Sequence, residues 1–100
     1  MQKSVEAFIR EYGLECGEYI RYIDLTSEVG ELGKEILKGS DYGKSKYCNT
    51  ENAEAELGDC LFSLLALCCE MNIDAEAALR SALEKYKRRF SASGNIGSDR

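Results

Sequence analysis

One hundred residues with a formal net charge of −5 make one domain with room for a modest core. The acidity argues against general affinity for nucleic-acid polymers. No apolar stretch reads as a membrane span, since the longest, Cys60 to Cys69, is too short and contains Ser63. The five cysteines form no C-x-x-C and histidine is absent, which removes zinc sites, the Glu-x-x-His di-iron bundle and any Ser-His or Cys-His catalytic arrangement.

Val5, Phe8, Ile9 and Tyr12 recur at helical spacing and predict a first helix, with Gly13 and Gly17 bracketing a break after it. A second helix is expected over 18–38, with Gly39 as its left-handed stop and Lys34 and Lys38 suiting its negative end. Residues 40–49 read as a solvated connection carrying Lys44 and Lys46. Thr50 or Asn49 is the expected cap of a third helix that ends near Met71. Asp74 then caps a fourth helix, in which Ala77, Ala78, Leu83 and Tyr86 are the expected buried positions. Ser91 to Arg100 is small, polar and glycine-bearing and reads as a disordered tail, leaving a domain over 1–90. The absence of proline agrees with an all-α protein, an antiparallel bundle of about four helices.

Two tetrapeptides stand out. Glu28-Val29-Gly30-Glu31 and Glu56-Leu57-Gly58-Asp59 each place two acids three residues apart, on one face of a helix. Beside the first runs an apolar seam of Tyr22, Leu25, Val29, Leu32 and Ile36; beside the second, one of Ala53, Leu57, Cys60, Leu64, Leu67 and Met71. Packing the helices by these seams gathers four carboxylates, which repel one another unless a cation neutralises them; several oxygen ligands suit Mg²⁺ or Mn²⁺. Either motif alone is common in acidic helices. Their shared glycine, costly inside a helix by roughly 1 kcal/mol, tips the reading toward a metal site, and Gly30 and Gly58 suggest close approach by another helix. The charge is also uneven: Asp24 to Asp59 balances at −5 and Arg80 to Phe90 at +4, a pairing suited to a small polyanion. On the third helix Leu61, Leu65, Cys68 and Cys69 widen the apolar side, with Phe62 and Ala66 further round, more than one subunit can hide; a homo-oligomer is expected.

The spacing Glu28-x-x-Glu31, residues 32 to 55, then Glu56-x-x-Asp59 resembles the signature of MazG-type nucleotide pyrophosphohydrolases, of the all-α NTP pyrophosphatase superfamily. Lys85-Tyr86-x-x-Arg89-Phe90 resembles that family's closing segment, and the likeness runs from about Ile20 to Phe90. Ser27 stands where many members have a further Glu, Leu83 where many have Asn, and the Cys-Pro-Trp-Asp stretch of longer members is absent. The resemblance implies Mg²⁺-dependent hydrolysis of a nucleoside or deoxynucleoside triphosphate to monophosphate and pyrophosphate. It assigns metal-holding and catalytic roles to Glu28, Glu31, Glu56 and Asp59, and phosphate contacts to Lys85 and Arg89. It further implies a homodimer or homotetramer. Five cysteines and an N-terminus without an apolar core suggest reduced thiols in the cytoplasm, and the resemblance implies nucleotide-pool housekeeping. The contrasting reading is a non-catalytic nucleotide-sensing or oligomerisation module on the same scaffold.

Overall fold

Four helices succeed one another in the computed structural model: α1 (Gln2–Tyr12), α2 (Glu18–Gly39), α3 (Ala53–Glu70) and α4 (Ala75–Ser93). The structure describes residues 1–93, so the expected tail lies outside it except for 91–93, which continue α4. The all-α, four-helix reading of the sequence is what the chain adopts.

Local chemistry sets the helix ends. Gly13 closes α1 in the left-handed region at φ 63°, and Gly17 at φ 89° re-aims the chain into α2. Such angles are cheap only without a Cβ. Gly39 departs from expectation. It is the last residue of α2, and the left-handed conformations fall instead on Asp41, Tyr42 and Gly43. Gly39 is required for a different reason: a Cβ there would lie 2.6 Å from the Cys48 carbonyl oxygen and against the Tyr47 ring. The Cys48 N–H also donates to the Gly39 carbonyl at 3.0 Å, folding the connection back onto the end of α2. The capping expected of Thr50 or Asn49 is not made; Asn52 occupies the N-cap without a side-chain bond, and the Thr50 hydroxyl donates elsewhere. Asp74 does cap α4, accepting from the N–H groups of Glu76 at 3.0 Å and Ala77 at 3.4 Å.

The packing centres on α3. It runs antiparallel to α2, with Glu35 of α2 bonded to Thr50 just ahead of α3, and Arg21 lying over the Phe62 ring, 5.7 Å from its centroid. α1 packs on the same helix through buried Ile9 and an edge-on contact of Phe8 with Phe62. The Gln2 side chain brackets the α3–α4 turn, donating to the Ile73 carbonyl at 2.8 Å and accepting from the Ala75 N–H at 2.7 Å. α4 itself touches the other helices only sparsely.

The expected apolar seams are covered only in part: Leu25, Leu32, Ala53, Cys60 and Leu67 are covered as expected, and polar side chains take the place of the rest. On α2 the covered row is Arg21, Leu25, Glu28, Leu32 and Glu35; on α3 one covered row is Ala53, Glu56, Cys60, Ser63, Leu67 and Glu70, and Phe62, Leu65, Ala66, Cys68 and Cys69 beside it are covered as well. Both rows recur every three or four residues, one position away from most of the large apolar side chains. Tyr22, Val29, Ile36, Leu57, Leu64 and Met71 are consequently exposed, Leu57 to 56%. The expected core of α4 is open as well: Ala77 is half-buried, while Ala78, Leu83 and Tyr86 are exposed. A methyl added to Gly30 or Gly58 would meet nothing within 4 Å among the described residues, so the close helix approach they suggested does not occur within one chain.

These glycines separate by substitution. Gly39→Ala forces a methyl into backbone and ring and should cost about 1–3 kcal/mol, a fall in Tm of several degrees. Gly33→Ala, in open space inside α2, should instead stabilise by up to about 1 kcal/mol. Thermal melts of the two variants check both signs.

Candidate metal centre

The offset seam places carboxylates inside the helix pair rather than beside it. Glu28, midway along α2, faces Glu56 and Asp59 on the first turns of α3 because the helices are antiparallel and share the three-four periodicity. One carboxylate oxygen from each of the three lies within 4.8 Å of the others. Glu28 and Glu56 are half-buried and Asp59 is exposed, so the group is rooted in the seam and opens to solvent.

The fourth motif acid, Glu31, is exposed and stands outside that trio, yet close enough to act on Glu56. Glu56 carries the strain of the arrangement. Desolvation, then the charges of Asp59, Glu31, Glu28 and Glu35, push its pKa above the ordinary 4.5. The Cys60 thiol is also held above its usual range, by desolvation and then by Glu28, Glu56 and Asp59. Lys85 and Arg89 stand apart from this trio in kind: they ride on the sparsely packed α4, where Lys85 is exposed with its ammonium 5.1 Å from the centre of the Tyr86 ring and Arg89 is half-buried. Neither figures among the charges acting on Glu56.

Two neighbours of the site are not evident from the sequence. Cys60 follows Asp59 and lies one turn beyond Glu56; hydrophobicity alone assigns it to the core. Glu35 belongs to the same acidic row as Glu28 and Glu31, and that periodicity is the available signal. Its burial has no such signal, because nothing in the sequence pairs it with Thr50.

The trio fits a hard divalent cation. Octahedral Mg²⁺ with bonds of about 2.1 Å places its ligand oxygens roughly 3–4 Å apart, so the observed spacing needs to contract by less than about two ångströms, within the reach of side-chain rotation. The donors are all oxygen, as Mg²⁺ and Mn²⁺ prefer. A cation here would cancel the repulsion that raises Glu56.

The model of the MazG nucleotide pyrophosphohydrolase domain matches residues 4–92. No curated protein and no solved structure matches the chain. With nearly its whole length covered by that domain, the chain belongs to the MazG nucleotide pyrophosphohydrolase family.

The electrostatics of Glu56 predict a reversal. Its folded pKa exceeds its unfolded one, so its ionisation opposes folding above the folded value, and the opposition disappears once pH falls below the ordinary 4.5. Glu56→Gln should therefore be at least as stable as the parent near neutral pH without metal, with the difference closing on acidification. With Mg²⁺ the order should invert. Binding to the folded state alone stabilises by about 2.7 kcal/mol at a hundredfold excess over Kd, a rise in the parent's Tm on the order of 10 °C that the variant should largely lack. Paired melts in EDTA and in Mg²⁺ read both effects; equal Mg²⁺ shifts would remove Glu56 from the site.

Proposed function

We propose that this MazG-family domain is an Mg²⁺-dependent nucleoside or deoxynucleoside triphosphate pyrophosphohydrolase, releasing monophosphate and pyrophosphate. The observation that carries the reading is the convergence of Glu28 from one helix with Glu56 and Asp59 from the next. Those three carboxylates would hold Mg²⁺, with Mn²⁺ as a substitute, and Glu31 completes the acidic set at its open edge. The bound cation supplies charge neutralisation on the phosphate oxygens. Water attacks the α-phosphorus, the bond to the oxygen bridging α and β breaks, and pyrophosphate departs with that oxygen. A motif carboxylate orients the water and accepts its proton; we assign this task to Glu31, which stands beside the trio rather than in it. Lys85 and Arg89, one helical turn apart, contact the polyphosphate. Five free cysteines suit a reducing compartment, and we place the activity in the cytoplasm, in upkeep of the nucleotide pool.

The working form is a homodimer or homotetramer. A compact monomer of 11.2 kDa exposes about 5,700 Å², and this chain exposes 7589 Å². The excess is on the order of one partner's share of an interface. Its chemistry is apolar: Leu57, Leu61 and Leu64 on α3, and Leu79, Leu83, Tyr86 and Phe90 on α4, repeat at intervals of three and four and are all exposed.

Purified protein should release pyrophosphate, not orthophosphate, from at least one common or modified triphosphate, and only with Mg²⁺ or Mn²⁺. Orthophosphate as first product, or turnover in EDTA, would contradict the site; silence across a broad panel would favour the nucleotide-sensing module. Light scattering should give a multiple of 11.2 kDa at micromolar concentration. Leu64→Glu and Leu83→Glu should each lower that mass by placing a charge in the covered face. A monomeric parent would end the oligomer proposal.

A further inference from the structure

Glu35 is a carboxylate for which the four-acid site has no use, yet it is the most buried acid described. Only 6% of it is exposed. It lies one turn beyond Glu31 on α2, near enough to add to the repulsion on Glu56. A buried charge so close to like charges is costly unless it is held by hydrogen bonds. The Thr50 hydroxyl donates to Glu35 Oε2 at 2.5 Å, and the Lys38 ammonium approaches Oε1 at 3.9 Å from the solvent side.

Thr50 stands at a mechanically decisive place. Its carbonyl accepts the N–H of Ala53, the first residue of α3, and Glu56 follows on the first turn, its N–H bonded to the Asn52 carbonyl. The start of α3 is thus fixed to α2 through one side-chain bond. One turn further along α2, the Gly39–Cys48 backbone bond holds the returning connection a second time. Glu28 lies two turns before Glu35 on the same helix, so the Glu35–Thr50 bond sets the axial offset between the helix bearing Glu28 and the helix bearing Glu56 and Asp59. At the offset seen, one carboxylate oxygen from each of the three lies within 4.8 Å of the others.

We propose that Glu35 is a positioning residue, which through Thr50 holds the first turns of α3 at the offset where Glu28, Glu56 and Asp59 can share one divalent cation. This rests on the reading of those acids as a metal site. Outer groups that orient metal ligands typically contribute ten- to a hundredfold in affinity, and the same range is expected here.

Mn²⁺ alone is the probe, titrated by electron paramagnetic resonance against the parent and five variants, beside kcat and KM for the best triphosphate. Thr50→Val keeps the shape and removes the donor; it should weaken Mn²⁺ binding about tenfold or more with an unchanged far-ultraviolet dichroism spectrum. Thr50→Ser keeps the hydroxyl and should bind within about threefold of the parent, well short of the tenfold loss. Glu35→Gln keeps an acceptor and should do the same, whereas Glu35→Ala should match Thr50→Val. The double variant, Glu35→Ala with Thr50→Val, should be no weaker than the worse single, since both break one link. If Glu35→Ala does not fold, the Thr50 pair decides. Thr50→Val binding like the parent overturns the proposal. So does Glu35→Gln falling as far as Glu35→Ala while Thr50→Val holds, which would mean that Glu35 acts by charge alone. A parent that binds no Mn²⁺ overturns the metal site and this role together; a parent that binds and turns over, with variants that match it, overturns this role only.

Discussion

The packing of α2 on α3 along a line that interleaves charged with apolar side chains is the constraint from which the rest of the molecule follows. Helix pairs in water normally meet by their apolar stripes because burial there is favourable by roughly 25 cal/mol per Å². Here the covered row of α2 includes Arg21, Glu28 and Glu35, and that of α3 includes Glu56, Ser63 and Glu70. Such a seam is tolerable only where its charges have partners. Arg21 donates to the Leu14 carbonyl at 2.8 Å and rests on Phe62, Glu70 accepts the Cys16 N–H at 3.0 Å, and Glu35 accepts from Thr50. Glu28 and Glu56 face each other across a group of acids, and there the seam opens to solvent beside Asp59. That stretch of the seam, where like charges gather, is the stretch fitted to a cation.

The same offset explains the apolar surface. With these rows turned inward, Leu57, Leu61 and Leu64 of α3 and the Tyr22–Val29–Ile36 line of α2 face outward, and α4 does not fold back to cover them. A one-position rotation about the axis of α3, roughly 100°, would bury Leu57 and Leu64 and expel Glu56. The chain therefore has two competing solutions. The packing seen covers Glu28 and Glu56 and leaves Leu57 and Leu64 exposed.

How far the sequence disclosed this can be argued residue by residue. Helix existence and order are legible because periodicity, Gly13, Gly17 and Asp74 all speak locally. The convergence of Glu28, Glu56 and Asp59 is legible because two short motifs on helices of comparable length must face one another if the helices are antiparallel. The packed face is not. Apolar periodicity says which residues leave water, and it does not distinguish leaving it within the chain from leaving it against another surface. Of the seams through Val29 and Leu57, Leu25, Leu32, Ala53, Cys60 and Leu67 are covered within the chain, whereas Val29 and Leu57 themselves are not. Thr50 misleads for a related reason: a threonine ahead of a helix caps it by local bonding, unless a buried carboxylate distant in sequence competes for the same hydroxyl, as Glu35 does.

Glycine placement shows the same division between local and distant causes. Gly39 answers to the Tyr47 and Cys48 return inside one chain, whereas Gly30 and Gly58 answer to nothing described within 4 Å. Their cost to helix stability, roughly 1 kcal/mol each, is then uncompensated in a lone chain, as are the exposed leucines and the raised Glu56. Three separate penalties, in backbone entropy, apolar exposure and like-charge repulsion, thus converge on the middle of α2 and the first turns of α3. Natural sequences tend toward local consistency, and conflicts that cluster in this way mark where function has set the residues against the stability of the isolated fold. A cation at the proposed site would relieve the third penalty and an apposed surface the second, and both would act on the same two helices.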